Sequence, residues 1–207
     1  MSPRARAVHP QGVLERLLEW LRGRRQRLVR VAEGRPWLLL SYPGAGESAA
    51  AELEGAYARL WPAFSAQLRA AYQTLWPALP AMVVVLLRPR NVCGCLGHHH
   101  PRGTESRLAR RLESELGHPL AEVDLAYQEI ARWQPEPLAS LAVASSPDAL
   151  QPLHFRAALL AVLLHELEHL AFPGKSEQEV RARSRAFYAG AMKELVEAEL
   201  GRAYGMA

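Results

Sequence analysis

Five consecutive residues, His165-Glu166-Leu167-Glu168-His169, are the part of this chain best suited to chemistry. Histidines four apart on a helix lie one turn apart on one face, so both imidazoles can reach a single ion. Zinc suits the arrangement because neutral imidazole is a good ligand and the ion accepts tetrahedral geometry. Glu166, beside the first histidine, can take a proton from a zinc-bound water as that water attacks a carbonyl. With 8 His in 207 residues, chance gives about 0.03 such matches, so coincidence is a poor explanation. The bland alternative is a helix carrying two His and two Glu on exposed turns, salt-bridged and metal-free. The run Arg156 to His165 is strongly helix-forming, which puts the motif on the element it needs.

The segment from roughly Leu153 to Arg183 resembles the active-site helix of zinc metallopeptidases of the zincin superfamily. The resemblance implies a zinc hydrolase acting on a peptide or protein substrate, with His165 and His169 as Zn2+ ligands and Glu166 as general base. It also implies an α+β zincin-like core, in which a strand beside the active helix aligns the peptide through main-chain hydrogen bonds. Ala81–Leu87 or Leu138–Ala144 could serve as that strand.

Two histidines do not complete a catalytic zinc site. The metzincin pattern continues with Gly three and His six residues after the second motif histidine. Phe172 and Lys175 stand at those positions, which excludes that subclass. The gluzincin-like pattern takes a Glu from the next helix. Pro173 and Gly174 end the first helix, Ser176 is placed to cap a second, and Glu177 and Glu179 then pass near the histidines. One of the two is expected to be the third ligand. Val180, Ser184, Phe187, Ala191 and Leu195 mark the inward stripe of that helix, and Glu177 precedes Val180 by three. Ser176-x-x-Glu179 reads as a capping box, which favours Glu177. Against this, Glu179 leads a line of small residues, Ala182, Ala186 and Ala189, that permits close helix approach. The short spacing departs from gluzincins with long insertions before their Glu.

A second cluster is Cys93-Gly-Cys95-Leu-Gly-His98-His99-His100. Thiolate and imidazole this dense could hold a second metal, although C-x-C is tighter than the usual zinc spacing. The loop could instead line the zinc cleft, or be an exposed polar loop with no ligand. A bridge between cysteines one residue apart would be strained, so the thiols are expected to be free or metal-bound. Glu168 reads as a solvated charge and His154 as a structural histidine. Tyr188 or an Arg could polarise a scissile carbonyl. Trp20, Trp37, Trp61, Trp76 and Trp133 read as core or groove residues.

The elements that must position these groups follow from patterning. Residues 12–31 read as an amphipathic helix on the stripe Val13, Leu14, Leu17, Leu18 and Leu21. Trp37–Tyr42 and Ala81–Leu87 read as strands, with Glu122–Tyr127 and Leu138–Ala144 as weaker ones. Residues 47–75 read as helical, broken or kinked near Pro62. Helices are also expected over Thr104–Leu116, capped by Thr104, over Leu153–Phe172, and from Glu177 to about Leu200. The economical reading is a single α+β domain over residues 36–207, with residues 1–35 as a basic helical appendage.

Composition sets the outer bounds. Hydrophobic residues make up 49% and charged residues 22%, enough apolar surface for a packed core and no sign of a largely disordered chain. No apolar run approaches the ~20 residues of a membrane span, so no membrane partner is expected. The start, MSPRARAVHPQG, is followed by no secretory apolar core, and a cytoplasmic location is expected. Residues 1–35 hold nine Arg against three Glu, while the whole chain carries only +4. That arm could attract nucleic acid or another anionic partner, which frames the rival reading. In it, a non-catalytic, metal-stabilised protein binds through its Arg-rich N-terminus.

Overall fold

The computed structural model describes residues 24–31, 34–133 and 147–203. Its centre is a five-stranded sheet of β1 (Arg25–Val29), β2 (Trp37–Tyr42), β3 (Met82–Arg88), β4 (Gly97–His99) and β5 (Ala121–Ala126). The spatial order is β1-β2-β3-β5-β4; β2, β3 and β5 are parallel, and both edge strands are antiparallel to their neighbours. The helices are α1 (Glu47–Gly55), α2 (Ala66–Ala70), α3 (Arg107–Leu116), α4 (Tyr127–Arg132), α5 (Pro147–Ala171) and α6 (Glu177–Ala203). The class is α+β, as expected.

β3 is apolar at nearly every position because both its faces are covered. Val83, Val85 and Leu87 pack into the large core with α5, while Met82, Val84 and Leu86 meet Ala109 and Leu112 of α3. Each such side chain contributes roughly 1.5–3 kcal/mol on burial. This central placement overturns one expectation. Ala81–Leu87 cannot align a peptide, because β2 and β5 already take its main-chain groups on both sides. The open edge beside α5 belongs to β4, three residues inside the expected loop. Leu138–Ala144 lies outside the described residues.

α5 is buried almost all round, with Ala158, Leu159, Leu160, Leu163, Leu164 and Leu167 fully enclosed. It begins six residues earlier than expected and carries Pro152 inside its N-terminal turns. α6 packs along it, and its Phe187 stacks on Trp61 at 5.7 Å and meets Tyr72 edge-on at 5.6 Å. α1 runs on through a widened turn at Ala56–Leu60 into a last turn at Trp61–Ala63. The widening sits directly before Pro62, which lacks an N–H to bond back along the helix.

Two local expectations are corrected. Residues 25–29 are strand β1, paired with β2, where a helix was expected over 12–31. The apolar helical stripe ends at Leu21, so nothing beyond it favours a helix over the available sheet edge; residues 1–23 lie outside the described residues. The cap of α3 is Ser106, whose Oγ accepts from Ala109 N–H at 3.3 Å, while the Thr104 hydroxyl donates to Pro101 O at 2.6 Å.

Candidate metal centre

The two histidines of α5 project from consecutive turns, with ring centroids 4.9 Å apart. Pro173 and Gly174 fall in the tight turn that reverses the chain into α6. That hairpin brings Glu177 Oε2 to 3.0 Å from His169 Nε2 and 3.5 Å from His165 Nε2. Glu179 goes elsewhere. Its carboxylate accepts from Ser176 N–H at 2.9 Å and from Ser176 Oγ at 2.6 Å, and its own N–H bonds Ser176 Oγ, closing a capping box. Of the two candidates, only Glu177 meets the imidazoles.

Electrostatics suit a cation at this point. Burial holds His165 below its ordinary value, against the opposing pull of Glu166 and Glu177, which keeps the ring neutral and its lone pair free. Burial pushes the Glu177 carboxyl up, but His165, His169 and Arg181 together outweigh it and hold it below its ordinary range. Arg181 Nη2 donates to Glu177 Oε1 at 2.8 Å, leaving Oε2 aimed between the histidines.

Ser184 is a part of the site that sequence reasoning assigned only to the inward stripe. Its Oγ donates to Arg181 O at 3.1 Å and lies 3.3 Å from His165 Nδ1. With its proton committed, the hydroxyl accepts Nδ1–H, which leaves the Nε2 lone pair free to take a ligand. A hydroxyl on an otherwise apolar stripe, facing a helix that carries two histidines, was the available signal.

Glu166 is 5% exposed and is clamped from the sheet side by β4. His99 Nδ1 sits 3.1 Å from Glu166 Oε2; an ionised carboxylate only accepts, so the imidazole donates. The His99 ring also stacks on His169, with centroids 4.9 Å apart and planes at 20°. Two residues earlier, Gly97 lies so close that a Cβ there would stand 2.6 Å from Glu166 Oε1 and 2.8 Å from Val162 Cγ1. Only glycine lets the strand approach the helix this closely.

These groups open into a cleft of about 600 Å³, bordered also by Leu96, Trp133, Val162 and Arg185. Cys93, Cys95, His98 and His99 line it, whereas His100 turns to the opposite face of the sheet near Glu122 and Asp124. Cys93 and Cys95 are joined in a disulfide, not free or metal-bound as expected, so their sulfurs offer no thiolate. Gly94 between them makes this possible: its φ of +69° and its N–H bond to Asn91 O at 3.1 Å fold the two side chains together.

Two further expectations change. Glu168 is not solvated but 1% exposed, accepting from Lys175 Nζ at 2.5 Å and pairing with Arg183 at 3.2 Å. Tyr188 faces the core, not the cleft: it is 1% exposed, and its hydroxyl is 2.8 Å from His154 Nδ1. His154 is accordingly a core histidine. No family model, curated protein or solved structure matches this chain.

Proposed function

We propose that the chain is a zinc-dependent peptidase with a zincin-like core, its ion held by His165, His169 and Glu177. The observation that carries this reading is the meeting of both motif imidazoles on Glu177 Oε2 with Glu166 buried beside them. The donor set fits the ion. Ligands about 2.0–2.1 Å from a tetrahedral zinc stand about 3.3–3.4 Å apart. The donor separations here are 3.0 and 3.5 Å.

When bound, zinc supplies Lewis acidity, lowering the pKa of water toward ~7 and polarising a carbonyl. Glu166 takes the proton of the attacking water and passes it to the leaving amine. His99 holds one Glu166 oxygen and leaves the other for that water. Leu96 C=O and His100 N–H bond β5, so by strand alternation the main-chain groups of Gly97 and His99 face the open edge. An extended peptide can add there as a further strand, its scissile bond carried past Glu166. Of the described residues, no helix is long and apolar enough to cross a membrane.

The rival reading, nucleic-acid or partner binding through the basic arm, has less to support it. The described arginines of that segment are engaged within the domain. Arg24 binds Ser41 and Leu87 O, Arg25 pairs with Glu47, Arg27 with Glu54, and Arg35 donates to Tyr57 O.

The test is Glu166→Gln in zinc-loaded protein, assayed on a mixed peptide library. The variant keeps its zinc and loses turnover by about 10²–10⁴, the usual share of a general base. Wild-type turnover in the variant, or no hydrolysis by zinc-loaded wild type, overturns the reading.

A further inference from the structure

His98 and His99 end β4, and His100 follows directly, its N–H continuing the ladder to β5. His99 faces α5 and His100 the opposite side, while the exposed His98 ring lies at the strand edge between them, 5.9 Å from the His99 ring and 5.2 Å from the His100 ring. The ladder to β5 fixes what they meet: His98 is paired with Asp124, and His100 N–H bonds Glu122 O at 3.0 Å. Glu122 and Asp124, two apart on β5, therefore lie on the same face as His100.

We propose that this face of the β4–β5 ladder holds a second zinc ion, bound by His100, Glu122 and Asp124. His100 Nε2 is 3.6 Å from Glu122 Oε1 and 3.4 Å from Asp124 Oδ2, and one donor atom from each residue lies within 4.8 Å of the others. These separations are close to the edges of a zinc tetrahedron and match those between the donors on α5 and α6. The donors are buried and waiting. Glu122 is 0% and Asp124 7% exposed, and both His100 Nε2 and Asp124 Oδ1 are buried atoms that form no hydrogen bond. Such orphaned atoms are rare in folded proteins and call for an occupant.

The carboxylates are oriented from behind, as ligands usually are. Ser106, the cap of α3, donates its N–H to Glu122 Oε1 at 2.9 Å and its hydroxyl to Oε2 at 2.5 Å. Arg88 Nε stands 3.0 Å from Asp124 Oδ2, the oxygen nearest His100, without forming a hydrogen bond to it, and Oδ1 has no hydrogen-bond partner. Arg88 offsets one carboxylate charge. The other, fully buried on Glu122, takes two hydrogen bonds from Ser106 and faces His100 Nε2 at 3.6 Å, where a bound cation would answer it. One imidazole with two carboxylates is a donor set that zinc accepts. The His98 ring, 5.2 Å from that of His100, borders the same point. The consequence reaches the cleft: β4 has only three residues and one neighbour, and an ion across β4 and β5 ties down the strand that presents Gly97 and His99.

The experiment is zinc content per chain, by mass spectrometry on untagged full-length protein loaded with zinc and desalted. Wild type should hold two zinc ions, His100→Ala one, His169→Ala one, and the double variant none. The ion retained in His100→Ala reports that the fold survives. Should that variant fail to fold, His169→Ala decides alone, because the proposal requires it to keep one ion that Asp124→Asn added to it removes. A single zinc in wild type, lost in His169→Ala, overturns the second site and leaves the peptidase reading standing. A single zinc kept in His169→Ala and lost in His100→Ala upholds the second site and removes the first. A second ion that survives His100→Ala combined with Asp124→Asn also overturns the proposal.

Discussion

Glu166 can act as a base only if its carboxylate is held still, and two small features of β4 do this. Gly97 admits the carboxylate to within contact of the strand backbone, and His99 bonds one of its oxygens. Gly97→Ala is therefore expected to rotate Glu166 away, since a Cβ 2.6 Å from its oxygen cannot coexist with it. Steady-state kinetics of the zinc-loaded variant should show kcat lowered at least tenfold, about 1.4 kcal/mol, with zinc content unchanged. Unaltered kcat would mean that Glu166 has room the geometry denies. Ser184 does a different job, fixing the tautomer of His165. Ser184→Ala should weaken zinc binding by about 10–100-fold in a chelator competition, the usual effect of losing a ligand's outer partner. An unchanged affinity would sink the assignment of Nε2 as the bound atom. His165, Glu166 and His169 were legible from spacing, because a helix converts four residues into one turn, whereas the sequence left the third proposed ligand open between Glu177 and Glu179. Ser184 and Gly97 were not, since their roles depend on which element they face.

At the scale of elements, the site is a helical hairpin pressed against a sheet edge. The α5–α6 turn was readable from Pro173, Gly174 and Ser176, whose local chemistry acts within a few residues. β4 and β1 were not readable. Gly97-His98-His99 has no strand propensity of its own, and becomes a strand because β5 presents an unpaired edge. Glu122 and Asp124 alternate with Val123 and Leu125 in a pattern that declares a two-faced strand, yet only the register with β4 brings His100 to them. The capping box at the start of α6 links stability to the site. Ser176→Ala removes acceptor and donor together and should cost about 1 kcal/mol in urea unfolding. The same change frays the turn that carries Glu177, so zinc affinity should fall with it. A loss of stability with undiminished affinity would show that Glu177 is held by Arg181 and the histidines, not by the helix.

For the molecule as a whole, long apolar helices and a central apolar strand announced an α+β domain, but strand order depends on contacts far apart in sequence and left no local trace. The same long-range packing buries His154, 11 residues before His165 in α5, against Tyr188 of α6. Burial holds its pKa below the ordinary 6.5, with a smaller opposing bond at Trp133. The sign of the consequence follows. Above pH 6.5 neither folded nor unfolded chain protonates this ring, and it has no effect on stability. Below it the unfolded chain binds a proton that the folded chain refuses, so stability is lost as pH falls toward the folded value, by at most about 1.4 kcal/mol per pH unit. His165 adds to the same loss in metal-free protein, because its pKa is lowered by burial too. Urea unfolding with chelator at pH 7 and pH 5.5 separates the two. His154→Gln, which retains a polar partner for Tyr188, should lose distinctly less stability than wild type across that interval. Saturating zinc should protect wild type further by competing with the proton at His165. Equal losses in wild type and His154→Gln would place the acid sensitivity of the fold elsewhere, in its carboxylate pairs.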